Sequence, residues 1–157
     1  MSAGENAQLQ DGGPGDDDAP PLVPGAFRVP FLEWMGGRFV RVEGGQTELR
    51  LPLGKQHLNS WKVSHGGVAM TLLDVAMSSA ARSAHPDGLS AATVEMKTSF
   101  LRPGTGTLLT VHGKCYYRSS TLAFCEAQVR DDQGELVASG SGTFKYIRRR
   151  PTPGGDG

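Results

Sequence analysis

Between residues 38 and 53 the chain alternates apolar and polar side chains on both sides of Gly44-Gly45 (RFVRVEGGQTELRLPL), the pattern of two strands joined as a hairpin. A different rhythm begins at His65. The stretch HGGVAMTLLDVAMSSAA, residues 65–81, is apolar around most of a helical circumference and predicts one long helix that stops near Pro86 and Gly88. Four further stretches have strand character: 90–101, 107–118, 121–131 and 135–147, joined by RPGTG, SS and DQG. Such short connections predict that consecutive strands pair antiparallel. In the third of these stretches Leu122, Phe124, Glu126 and Gln128 oppose Ala123, Cys125, Ala127 and Val129, so one face is small and apolar. Ahead of the hairpin, the apolar run Val29 to Met35 predicts one or two helical turns. A sheet with one apolar face needs cover, and only one long helix is available to give it. The expected architecture is α+β, with the helix lying across the concave face of a curved antiparallel sheet of about six strands.

The ends of the chain break this patterning. Residues 1–25 (MSAGENAQLQDGGPGDDDAPPLVPG) have no period, are rich in Gly, Pro and Asp, and cannot offset the entropy of ordering. The expected organisation is a disordered acidic tail over 1–26, one domain over 27–148 and a flexible C-terminal tail over 149–157. No basic segment followed by an apolar one opens the chain, so a cytoplasmic protein is expected, with no membrane partner. The net charge of zero conceals an asymmetry. All sixteen Lys and Arg follow residue 25, against eleven of the sixteen acids, which leaves a surplus of +5 outside the tail. That surplus suits either a polyanionic small ligand or an ordinary surface ending in Arg148-Arg149-Arg150. Basic and aromatic residues are not interleaved as on a nucleic-acid surface, so no nucleic-acid partner is expected. Cys115 and Cys125 fall on neighbouring predicted strands, where a disulfide is geometrically feasible, but two free thiols suit a cytoplasmic chain better. Neither they nor the four histidines show metal-ligand spacing, and no metal or other cofactor is expected.

The long helix contains the most informative chemistry. Gly67, Thr71, Asp74, Ser78 and Arg82 form one stripe along it, and no Lys or Arg at positions 70, 71, 77 or 78 neutralises Asp74. Taken alone, the stripe favours a narrow solvent-facing side on an otherwise buried helix. The other reading is a cleft in which Asp74 is a base or nucleophile. Ser64 or His65 would cap the helix, and the two glycines that follow leave unpaired N–H groups open to approach, as an oxyanion site or simply for close packing. Eight residues separate Gly66 from Asp74, about 12 Å of helix rise. A reacting centre must lie about 3 Å from both its activating donor and its base. If both groups are catalytic, the donor of one helix must therefore meet the acid of a second copy across a two-fold axis.

HLNSWKVSHGGVAMTLLDVAMSSAA, together with TVEMKTSFLRP and the closing strands, resembles hotdog-fold acyl-CoA thioesterases of the phenylacetate-degradation type. The resemblance spans roughly residues 27–147 and implies a helix wrapped by a curved sheet, in a homodimer or a dimer of dimers (homotetramer). The family pattern places an Asn six residues before the His of HGG and an acid nine residues after it, which here are Asn59, His65 and Asp74. By this resemblance the Gly66 N–H polarises the thioester carbonyl and Asn59 orients substrate or water. Asp74 of the other subunit is nucleophile or general base, and the Thr93 hydroxyl holds the attacking water. His65 would contact substrate. Many members have Gly three residues after the Asn, whereas Lys62 stands there in this chain beside Trp61, so the loop would narrow the pocket or reach the ligand.

The expected activity is hydrolysis of acyl-CoA to free acid and coenzyme A, the alternative being a non-catalytic acyl-CoA binding module of the same fold. Arg102 and Arg118, at strand ends, would reach the coenzyme phosphates or serve only as solvated turn residues. The acyl group preferred is not legible in one chain, because several segments and a partner shape the pocket.

Overall fold

The computed structural model describes residues 23–148. Of the expected tail over 1–26, residues 1–22 lie outside the described residues, as does the expected tail over 149–157. Residues 23–26 form a turn, with the Ala26 N–H donating to Val23 O at 3.1 Å, and Ala26 is buried.

A short helix α1 (Pro30–Trp34) leads into strands β1 (Arg38–Glu43) and β2 (Gln46–Pro52). Gly44 and Gly45 join the strands with φ of 56° and 79°. A two-residue hairpin turn of this twist needs positive φ at both positions, which glycine adopts without a side-chain clash. A 3-10 turn, Lys55–His57, precedes the long helix α2 (Gly66–Ala84). His65 is the cap, its Nδ1 accepting the Gly67 N–H at 2.8 Å, and His85 ends the helix in an extended conformation ahead of Pro86. Strands β3 (Ser90–Phe100), β4 (Leu108–Arg118), β5 (Leu122–Asp131) and β6 (Leu136–Ile147) follow.

All six strands form one antiparallel sheet in the order β1-β2-β4-β5-β6-β3, and α2 packs against every one of them. This is the hotdog arrangement. The small face of β5 is the inner one, with Ala123, Cys125, Ala127 and Val129 all buried. On β4, a Cβ added to Gly113 would lie 2.7 Å from the Ala76 carbonyl oxygen, so the helix rests directly on strand backbone. Leu72, Leu73, Ala76 and Met77 fill the space between helix and sheet with Leu49, Leu51, Val111 and Phe144.

One expectation fails. The RPGTG connection does not make β3 and β4 neighbours: β3 pairs with β6 at the far edge, and both sides of β4 are taken by β2 and β5. Residues 101–107 form a crossing rather than a turn. Seven residues can span roughly 23 Å, ample for three strand spacings of about 4.8 Å each. The crossing is pinned where it starts by Leu101 N–H to Val137 O, at 2.9 Å, and where it ends by Leu53 N–H to Thr107 O, at 2.8 Å.

Cys115 and Cys125 face each other across β4 and β5, and both thiols are free. The Cys125 thiol donates toward the Cys115 sulfur, which brings the Cys115 thiol down to about 7. Retaining that shared proton, with burial in addition, pushes the Cys125 thiol up.

Candidate active site

Asp74 points from the middle of α2 toward the edge strand β3, where the Thr93 hydroxyl donates to its Oδ1 at 2.6 Å. The carboxylate is half-buried and forms no ion pair among the described residues. This brings together two of the residues expected from the sequence. Thr93 serves Asp74 directly, and Oδ2 is left without a protein partner among the described residues.

Gly66 opens the same helix. As the first helical residue its N–H has no partner within the helix, and no acceptor claims it elsewhere among the described residues. The ring of Phe100, at the far end of β3, lies over it: a Cβ added to Gly66 would be 3.2 Å from Phe100 Cε1. Strand β3 thus marks both candidate groups, with Thr93 at Asp74 and Phe100 at Gly66. Apolar side chains are exposed around this side of the molecule, namely Trp61, Met70, Val94, Phe100 and Leu101.

His65 acts as a helix cap, with its ring nitrogen occupied by Gly67. Asn59 organises the loop before it. Its Oδ1 accepts the N–H groups of Trp61 at 2.9 Å and Val63 at 3.3 Å, and its backbone bonds to Val63 and Lys62 close the turn. Only the Asn59 side-chain NH2 remains without a partner among the described residues. Lys62 sits in that turn at φ 60°, and it is the one non-glycine with positive φ among the described residues. That conformation explains why glycine suits the position.

Of the two arginines expected to meet phosphates, Arg102 stands at the start of the 101–107 crossing, two residues beyond Phe100. Arg102 is paired with Glu135 at 3.2 Å. Arg118 ends β4 three residues beyond Cys115, whose carbonyl lies beside the Gly45 turn and Ala84, at the opposite end of α2 from Gly66. Among the described residues no cluster of His, Cys, Asp and Glu is placed to hold a metal, and no helix is long and apolar enough to cross a membrane. A groove of about 640 Å³ lies on the outer face of the sheet between Lys97, His112 and Glu126, and contains none of the expected site residues.

The thioesterase superfamily profile matches residues 62–138, which run from the loop before α2 into β6. A Halobacterium salinarum protein named "Putative esterase VNG_1336C" is 31% identical over 129 residues, covering 75% of this chain and 85% of the relative. The chain belongs to the thioesterase superfamily. Among solved structures, the BH2602 protein from Bacillus halodurans, determined with CoA, is 34% identical with a TM-score of 0.71, covering 79% of this chain and 82% of that one. The E. coli PaaI protein from the phenylacetic acid degradation operon shares the fold at 22% identity and TM-score 0.71, covering 77% and 86%.

In this superfamily member two residues near the helix start gave no sequence signal. His57 is buried; its Nδ1 accepts the Gly54 N–H at 2.9 Å, so Nε2 carries the proton and donates to Met35 O at 2.7 Å. Its own carbonyl accepts the His65 N–H at 2.8 Å, which ties the helix cap to α1 and to the loop. A lone histidine has no readable role until Met35 and Gly54 are beside it. Phe100 could have been noticed as an aromatic within TSFLRP, but nothing local connects it to Gly66.

Proposed function

We propose that this protein hydrolyses acyl-CoA thioesters to the free acid and coenzyme A, as a cytoplasmic homodimer or dimer of dimers of the phenylacetate-degradation type. The observation that carries the reading is the Thr93–Asp74 bond of 2.6 Å on a half-buried carboxylate with no cation beside it. A merely solvated acid has no need of an orienting hydroxyl from the neighbouring strand. With Oδ1 held, Oδ2 is left to take a proton from water as the water attacks the thioester carbonyl. The Gly66 N–H would stabilise the oxyanion, and the thiolate of coenzyme A would leave and be protonated. The CoA seen in the Bacillus halodurans relative supports this substrate class.

Gly66 and Asp74 are eight residues apart on one helix, about 12 Å by helix rise, so a single reacting carbonyl cannot meet both in one copy. Pairing two copies through the open edge of β3 brings the Gly66 end of one helix toward the Asp74 of the other. The exposed Val94 on that edge supports such a contact.

Thiol release from a panel of acyl-CoA esters, compared with calorimetric binding, tests the activity; binding without release would overturn it. Mixing two inactive variants tests the shared site. Gly66→Pro removes the donor at a helix position where proline is tolerated, and Asp74→Asn removes the base. Mixed dimers of the two carry one site with both defects and one intact site, so activity returns. If each site belongs to one chain, mixing restores nothing.

A further inference from the structure

A cleft of about 320 Å³ lies between the loop before α2 and the β3–β4 crossing, floored by Leu53 and Leu58 and walled by Lys55, Lys62, Gly104 and Gly106. Its only ionisable lining residues are the two lysines. Neither forms an ion pair among the described residues. Two unmatched ammonium groups around one apolar-floored cleft repel each other until an anion enters.

The backbone of Lys62 is a second, independent observation. Its φ of 60° lies in the left-handed region, where a residue with a side chain is strained and glycine is not. What Lys62 adds over glycine is its side chain, and that side chain lines the cleft. The cleft is also joined to the candidate active site: Ser64 N–H donates to Gly104 O at 2.8 Å, linking the two walls just before Gly66. Four residues of chain, at most about 14 Å, separate Lys62 from Gly66. Coenzyme A holds its phosphates away from its thioester on a pantetheine arm, so a phosphate site belongs near the oxyanion donor but not on it.

We propose that Lys55 and Lys62 form the subsite for the phosphate groups of the thioester substrate, a role the sequence had offered to Arg102 and Arg118. The inference rests on the acyl-CoA reading above. It predicts selectivity: the cleft rewards a phosphorylated thioester over the same acyl group on bare pantetheine.

The test compares kcat/KM for an acyl-CoA and for the matching acyl-pantetheine in wild type, Lys55→Gln, Lys62→Gln and the double variant. An acyl-3′-dephospho-CoA arm separates the ribose phosphate from the diphosphate. The preference for CoA over pantetheine should fall about tenfold or more in the double variant. A preference that stays within about twofold of wild type would overturn the subsite. A binding measurement keeps this separate from the catalytic reading. Wild type should bind inorganic pyrophosphate by calorimetry and the double variant should not; absence of binding to wild type overturns the subsite even if thioesters are hydrolysed. If pyrophosphate binds in a lysine-dependent way but no thioester is cleaved, the anion site stands and the hydrolase reading fails. Lys55, which is under no backbone strain, provides the control should Lys62→Gln disturb the turn.

Discussion

From Val75 to Ala81 helix α2 is enclosed on nearly every side, whereas from Gly66 to Asp74 it alternates buried leucines with an exposed methionine, two glycines and a half-buried acid. The enclosed half is tied down locally. Tyr146 OH donates to Ala81 O at 2.9 Å, Ser79 Oγ donates to Val75 O at 2.6 Å, and the His85 ring meets Tyr146 edge-on at 4.6 Å. The open half leaves an N–H unclaimed at Gly66, a carboxylate oxygen unpaired at Asp74 and a strained lysine in the loop before it. One helix therefore combines a part whose groups satisfy one another with a part whose groups await something else. Polar groups without partners cost stability once water is excluded from them, so the Gly66 N–H and the free Asp74 oxygen mark where binding is to compensate.

That contrast can be broken from either side. The largest effect belongs to Asp74→Asn, which should lower kcat about 10²- to 10⁴-fold while leaving thermal unfolding nearly unchanged. Thiol release and a melting curve on the same sample decide it, and a large loss of stability instead would make Asp74 a structural residue. Met77→Ala is the mirror image in the enclosed half. It should cost about 2–5 kcal/mol in denaturant unfolding, with kcat per folded molecule preserved.

Thr93→Val removes a hydrogen bond to a charged group and should reduce kcat by about tenfold to a hundredfold. Retention of full activity would mean that the bond does not orient Asp74 for chemistry. The smallest effect is a gain. Lys62→Gly relieves about 1–2 kcal/mol of left-handed strain and loses about 0.5–1 kcal/mol to the freer unfolded chain, for a net stabilisation of about 0.5–1 kcal/mol. Chemical unfolding of the two proteins measures it, and a destabilised glycine variant would show that the lysine side chain packs in the folded state.

Much of the fold was legible because its signals are local. The Gly44-Gly45 hairpin, the helix from Gly66 and the small face of β5 each follow from residues a few positions apart. The place of β3 was not. RPGTG looks like a turn, and whether residues 101–107 reverse the chain or cross the end of the sheet depends on Val137 and Leu53, which lie far away in sequence. The same holds within the candidate site. Gly66 and Asp74 could be singled out from spacing on one helix, and Thr93 only from the family resemblance. The cover that Phe100 gives to Gly66 and the bridge that His57 makes between Gly54 and Met35 required the folded chain.

The sequence by itself determined the periodicity of each element, the unneutralised acid at Asp74 and the glycine start of α2, because these depend on side-chain type and on the geometry of one helix or strand. Only the tertiary structure decided which strand stands beside that acid, that Arg102 already has a partner in Glu135, and that Lys55 and Lys62 share a cleft. Those outcomes are contacts between segments distant in the chain, and such contacts are selected by how the whole sheet closes around its helix.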